Sequence, residues 1–171
     1  MLKLIAMGNV LMRDDGIGIF IAKAMENEWK KRGIEVIYGE TDFGYCITKV
    51  NDFDNVIILD AGSYGKAPGD ITVIPINNYT PGSNGCTQHS FNLLDVLKLY
   101  CPNLKGDILA IEVKEIAFGF GLTPRLQEKK EEIISGILHY LDLSGERREI
   151  NERRIWNKEY HQPISERNQL L

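Results

Sequence analysis

The sequence predicts an α/β fold, a mostly parallel five-stranded sheet with helices on both faces. Three observations carry this. Short apolar runs alternate along the chain with longer segments whose apolar residues recur every three or four positions. One run, Val56-Ile57-Ile58-Leu59, is apolar throughout, the mark of a strand buried on both faces. At 171 residues, 43% hydrophobic and 26% charged, the chain also has the length and mix for one substantial core.

The elements follow in order. Leu2-Lys3-Leu4-Ile5-Ala6-Met7 is a first strand, ended by the turn at Gly8-Asn9. From Ile17 the period changes. Ile17, Phe20, Ile21, Ala24, Met25 and Trp29 mark one amphipathic helix, closed by Lys30-Lys31-Arg32-Gly33 with cations in its last turn and glycine after it. Ile34 to Tyr38 reads as strand two and Gly44 to Val50 as a short helix, before Val56 to Leu59 as strand three. Pro68-Gly69-Asp70 is a turn and Ile71 to Ile74 strand four. The polar stretch from Asn77 to Thr87, with Pro81, Gly82 and Gly85, is a long loop of the sort that carries function. Phe91 to Tyr100 is helical, and Ile108 to Ile111 is strand five. Thr123-Pro124 opens the last core helix with an N-cap and a proline at its first position, and that helix runs through Ile133, Ile137 and Leu141. After Ser144 come the charge runs Glu146-Arg147-Arg148-Glu149 and Glu152-Arg153-Arg154. The expected organisation is therefore a single domain over 1–144 and a peripheral charged tail over 145–171.

Composition excludes several classes. A net charge of −4 argues against a dedicated nucleic-acid binder. No apolar run approaches the roughly 20 residues of a membrane span. The opening residues lack the layout of a secretory signal. Cys46, Cys86 and Cys101 are odd in number and scattered, which fits a reduced, cytoplasmic protein better than a disulfide framework.

Ligands of open α/β sheets gather beyond the carboxyl ends of the strands, and that rule selects segments without any motif. After strand one come Asp14 and Asp15, after strand two Gly39-Glu40-Thr41-Asp42, after strand three Asp60, and before the fourth-strand loop ends, Gln88-His89-Ser90. Asp14-Asp15 reads either as an acidic helix cap or as part of a site. Asp60, directly after an apolar strand, is costly to bury unless paired, hydrogen-bonded or bound to a cation, and reads as a site carboxylate. His89 alone carries little weight, being equally a helix cap or a loop histidine. Two carboxylates and an imidazole at one sheet edge would supply an O,O,N set for a divalent transition metal with positions left open. The glycine-rich dinucleotide fingerprint fails at Gly8-Asn9-Val10, where two aspartates would repel a pyrophosphate, and no phosphate-loop, zinc-protease, C-x-x-C or serine-elbow motif occurs. Cys86 three residues before His89 would serve a thiol hydrolase, although a cysteine in such a loop is more often incidental.

These residues resemble a known family. Gly8-Asn9-Val10-Leu11-Met12-Arg13-Asp14-Asp15-Gly16-Ile17-Gly18 is similar to the opening motif of the nickel–iron hydrogenase maturation endopeptidases. Val56 to Ala61 resembles their second acidic segment, Gln88-His89-Ser90 with Leu93 to Leu97 their histidine segment, and Gly121-Leu122-Thr123-Pro124 their entry to the last helix. The resemblance implies a three-layer αβα sandwich around a twisted, mixed sheet. It implies cytoplasmic removal of a C-terminal extension from a hydrogenase large-subunit precursor after nickel insertion, with the nickel supplied by the substrate. It places the metal-contacting and catalytic roles on Asp15, Asp60 and His89, with Asp14 a neighbour of the site. The chain departs from the pattern after strand two, where Glu40 stands in place of one of a glycine pair.

Two mechanisms are open on these residues: metal at the scissile bond, acting in recognition or by polarising the carbonyl, or a carboxylate acting as general base. The rival functions are a nickel-dependent chaperone or checkpoint that holds the large subunit without cutting it, a hydrolase using Cys86 and His89, and a nucleotide- or cofactor-binding α/β domain, which the acidic first loop disfavours.

Overall fold

The structure, a computed structural model, describes residues 1–78 and 88–160, with side chains described for 1–78 and 93–145. Five strands, β1 (Leu2–Met7), β2 (Glu35–Glu40), β3 (Asn55–Gly62), β4 (Ile71–Pro75) and β5 (Lys105–Glu112), form one sheet in the order β2-β1-β3-β5-β4. All neighbours run parallel except β4, which pairs antiparallel to β5 at the edge. The sheet is thus five-stranded and mostly parallel, as the alternation of periods predicts, and mixed, as the resemblance implies. β1 has β2 on one side and β3 on the other, so the chain reverses direction across the sheet between β1 and β3. Such a switch point leaves a crevice beyond the strand ends.

The pleat sorts the core into two layers. Ile5 and Met7 of β1, Val56 and Ile58 of β3, and Ile108 and Ala110 of β5 pack with α3 (Phe43–Lys49) and α4 (Gln88–Tyr100) through Cys46, Leu93, Leu94 and Leu97. The opposite face carries Leu4, Ala6, Ile57, Leu59, Leu109 and Ile111, all buried. It is covered by α1 (Ile17–Ala24), which packs on β1 and β3. A Cβ on Gly18 of α1 would stand 2.5 Å from the carbonyl oxygens of both Met7 and Leu59, so glycine is what lets this helix lie so close on the sheet.

The single helix expected from Ile17 to Lys31 is two helices, α1 and α2 (Glu26–Lys31), broken at Met25. Trp29 spans the break: its indole N–H donates to the Ala22 carbonyl at 2.9 Å, the carbonyl that a continuous helix would offer to residue 26. The indole is wholly buried. The short helix α3 begins one residue earlier than its apolar pattern suggests because Asp42 caps it, accepting from the Tyr45 N–H at 2.9 Å. α4 begins at Gln88, three residues before the first apolar position.

α5 starts at Pro124, where the Thr-Pro signal puts it, and is continuous to Tyr160. Residues Met1–Ile134 form one compact unit and Ser135–Leu171 a second, the helix contributing to both. Among the described residues no helix is long and apolar enough to cross a membrane.

Candidate active site

The crevice opens at Asp60. β3 pairs with β1 only as far as Leu59, opposite Ala6, whereas its pairing with β5 continues from Asp60–Ala110 to Gly62–Glu112. Asp60 was expected just after the strand. It lies within it, because β5 carries the ladder on after β1 has turned away. Its carboxylate is fully buried and accepts from the Ala61 N–H at 2.9 Å. By strand alternation Asp60 shares the face of Val56 and Ile58, the face on which α4 packs.

Asp15 is positioned from the other side of the crevice. After β1 the chain turns at Gly8 and forms a 3-10 turn, Arg13–Gly16, that packs on β3 and leads into α1. The Asn9 N–H donates to Asp15 Oδ2 at 2.9 Å, fixing the buried carboxylate over the turn. Gly8 makes this possible. Its φ is +122°, and a Cβ there would meet the Asp15 carbonyl oxygen at 2.0 Å. The capping alternative for Asp14-Asp15 does not hold: the residues in the cap positions are Met12 and Gly16, and neither end has a side-chain cap.

Asp14 has a separate duty. Its fully buried carboxylate accepts from the Thr123 N–H (2.7 Å), the Thr123 hydroxyl (2.9 Å) and the N–H groups of Glu115 (3.1 Å) and Lys114 (3.2 Å). It ties the 3-10 turn to the β5–α5 connection a hundred residues away. Glu112, also buried, does similar work at the end of β5, accepting from the N–H groups of Tyr64 and Gly65 at 2.8 and 3.0 Å. Neither role has a sequence signature beyond an acidic residue at a strand end, where a ligand role is the competing explanation.

Glu40 occupies the left-handed region with φ +48°, and its carbonyl accepts from the Gly8 N–H at 2.9 Å. Register with β1 slips between Ala6 and Met7, which brings Met7 opposite Glu40. The backbone shape a glycine adopts freely is therefore present here on a glutamate, with its side chain exposed at the rim. Among the described residues Arg13, at φ +49°, is the other non-glycine residue in this region, and it opens the 3-10 turn that carries Asp15.

His89 lies in the first turn of α4, on the helix packed against the Asp60 face of the sheet. Its side chain, and all of Cys86, lie outside the described residues. The structure thus places Asp15 on the 3-10 turn that follows β1, Asp60 near the carboxyl end of the adjacent β3, and the backbone of His89 in the first turn of α4. Among the described residues no three His, Cys, Asp or Glu side chains form a metal-sized group. Cys46 is no nucleophile: burial first, then the neighbouring Asp42, pushes its thiol up to about 11.

A sequence model described as hydrogenase maturation protease matches residues 19–140. A hydrogenase expression/formation protein, HupD of Thiocapsa roseopersicina, is 26% identical over 151 residues, covering 82% of this chain and 67% of that protein. HupM of Azotobacter chroococcum is 27% identical over 99 residues, 56% of this chain and 47% of its own length. Among solved structures, the hydrogenase maturating endopeptidase HybD of E. coli superposes with a TM-score of 0.68 at 24% identity, over 84% of this chain and 93% of that one. The [NiFe] hydrogenase maturation protease HybD of Thermococcus kodakarensis gives 0.66 at 23%, over 82% and 97%. At these identities the structures share the fold.

Proposed function

The chain belongs to the hydrogenase maturation protease family and is an endopeptidase of hydrogenase large-subunit maturation; on that premise we propose that it removes the C-terminal extension of a nickel–iron large-subunit precursor, in the cytoplasm, after nickel has been inserted. The observation that carries this reading is the pair of buried carboxylates, Asp15 and Asp60, at the switch point between β1 and β3. Carboxylate oxygens at a strand-end crevice suit a divalent cation that arrives with the substrate.

In this reading nickel is part of the substrate. Two carboxylate oxygens and an imidazole suit a borderline divalent ion such as nickel, and leave it positions for the ligands it keeps in the precursor. Asp15 and Asp60, with His89 as the third ligand, hold the metal-bearing segment so that the scissile peptide lies at the strand ends. Asn9 and Ala61 hold the two carboxylates in place through their N–H groups. The chain then discriminates loaded from unloaded precursor by ligand exchange rather than by shape.

The test is intact-mass analysis of nickel-loaded and nickel-free precursors after incubation with the protein. Loss of a C-terminal peptide from the loaded form alone is the expected result. Binding without any loss of mass from a correctly loaded precursor would instead make the chain a checkpoint that holds the subunit. Asp60→Asn keeps the acceptor for the Ala61 N–H and removes the charge, so it should abolish processing without unfolding the chain. A fully active variant would take Asp60 out of the site.

A further inference from the structure

The connection from β5 to α5 exposes its large apolar side chains. Ile116 is 54% exposed, Phe118 76% and Phe120 79%, and Leu11 beside them is 45% exposed. The two phenylalanine rings stand edge to face with centroids 6.4 Å apart. A slack loop could fold such residues away, but this one is held. Asp14 takes four hydrogen bonds from Lys114, Glu115 and Thr123. Gly119 donates to the Leu11 carbonyl at 2.9 Å and accepts from the Arg13 N–H at 3.0 Å. The Arg13 guanidinium pairs with Glu115 at 3.2 Å. The backbone is therefore fixed with its aromatics facing water.

Exposed aromatics on a rigid frame are the residues that dominate protein–protein recognition, since little conformational freedom remains to be lost on binding. Their position names the partner. The loop is bonded to Leu11, Arg13 and Asp14, the residues that lead into Asp15, so the aromatic ledge stands beside the segment that carries that carboxylate. We propose that this ledge, Leu11, Ile116, Phe118 and Phe120, is the docking surface for apolar side chains of the large-subunit precursor beside its scissile segment. The proposal rests on the function argued above and adds what grips the protein substrate, separately from what reads its metal. Asp14 then has a reason to be spent on a loop: it holds the ledge at a set distance from Asp15.

The test compares the full chain with F118S/F120S and F118L/F120L, using the nickel-loaded precursor and intact-mass time courses. The serine pair should raise KM by at least about tenfold with kcat within about twofold, because a contact made equally in ground and transition states moves KM alone. The leucine pair should restore most of the loss. Wild-type KM in the serine pair overturns the proposal and leaves the protease reading standing. If even the wild type cleaves nothing, calorimetric titration of the precursor decides the ledge independently: weakened binding by the serine pair supports it, unchanged binding overturns it. Should the serine pair instead dissolve a wild-type dimer without moving KM, the ledge joins two copies of this chain and the proposal is wrong.

Discussion

Asp14 and Thr123 are joined twice, through the threonine N–H at 2.7 Å and its hydroxyl at 2.9 Å, across 109 residues of chain and in the buried interior. The neighbouring Asp15 accepts from the Asn9 N–H at 2.9 Å. Adjacent aspartates thus divide the work, Asp14 fastening the β5–α5 connection and Asp15 bonded within its own turn.

Removing either partner should show this division. Thr123→Val deletes one donor and should cost about 1–2 kcal/mol in denaturant unfolding. Asp14→Ala deletes the acceptor of four bonds and should cost roughly 3–5 kcal/mol. Amide exchange gives the sharper readout. Protection at Lys114, Glu115 and Thr123 should fall in both variants while β1, β3 and β5 stay protected. Uniform loss across the sheet would mean that Asp14 supports the whole core.

Gly8→Ala is expected to damage the site more than its size implies. The added Cβ would meet the Asp15 carbonyl oxygen at 2.0 Å at a φ of +122°, so the 3-10 turn must move. Stability should drop by about 2–4 kcal/mol. Processing should fall by at least about a hundredfold, since a displacement near 1 Å in a positioning group is that expensive. Wild-type processing in a folded Gly8→Ala chain would separate Asp15 from the chemistry.

Much of this was legible in the residues, and the reasons differ by element. β3 was clear because a strand covered on both faces has no polar positions to blur it, and α5 because Thr123-Pro124 is a local stop-and-start signal. The break at Met25 was not legible: an indole reaching back seven residues to a backbone carbonyl spans it. The position of Asp60 inside β3 was hidden for a related reason: strand ends depend on the neighbouring strand, here β5, and not on the segment itself. At the site, the strand-end rule selected the Asp14-Asp15 pair and Asp60, but spacing alone could not show that Asp14 is bonded to the β5–α5 connection. That bond depends on Thr123, whose threonine-proline motif reads locally as a helix cap. The aromatic ledge gave no periodic signal because its loop is held by backbone bonds to residues 11–13.

The cysteines give a test by mass alone. Burial raises the thiols of both Cys46 and Cys101, Cys46 to about 11. Native alkylation with iodoacetamide at pH 8 should therefore leave both unlabelled, whereas in urea both should react. Cys86→Ala should process precursor at the wild-type rate. A dead Cys86→Ala variant would revive the thiol hydrolase that the carboxylate reading displaces.

Acid sensitivity should centre on Lys3 and Asp54, far from the crevice at the other end of β1. Both are buried, and Lys3 Nζ stands 2.9 Å from Asp54 Oδ2, with further bonds from Lys3 to the Lys49 carbonyl and from the Asn51 N–H to Asp54. Burial by itself pushes the Asp54 carboxyl up, but the bonds from Lys3 and Asn51 outweigh it and hold the group at about 2, below the ordinary 3.8. A carboxyl whose folded value lies below its unfolded one contributes stability that is complete above about pH 4 and lost as pH falls toward 2. The contribution should be about 2 kcal/mol, reading one pKa unit as about 1.4 kcal/mol. Asp54→Asn at neutral pH should cost somewhat more, roughly 3 kcal/mol, because it leaves the Lys3 ammonium buried beside a neutral amide. Urea unfolding of wild type and Asp54→Asn from pH 7 to pH 2 measures the difference directly. It should be flat down to about pH 5 and shrink below pH 4. A gap that stays constant to pH 2 would show that the pair is held by packing, with its charge adding nothing.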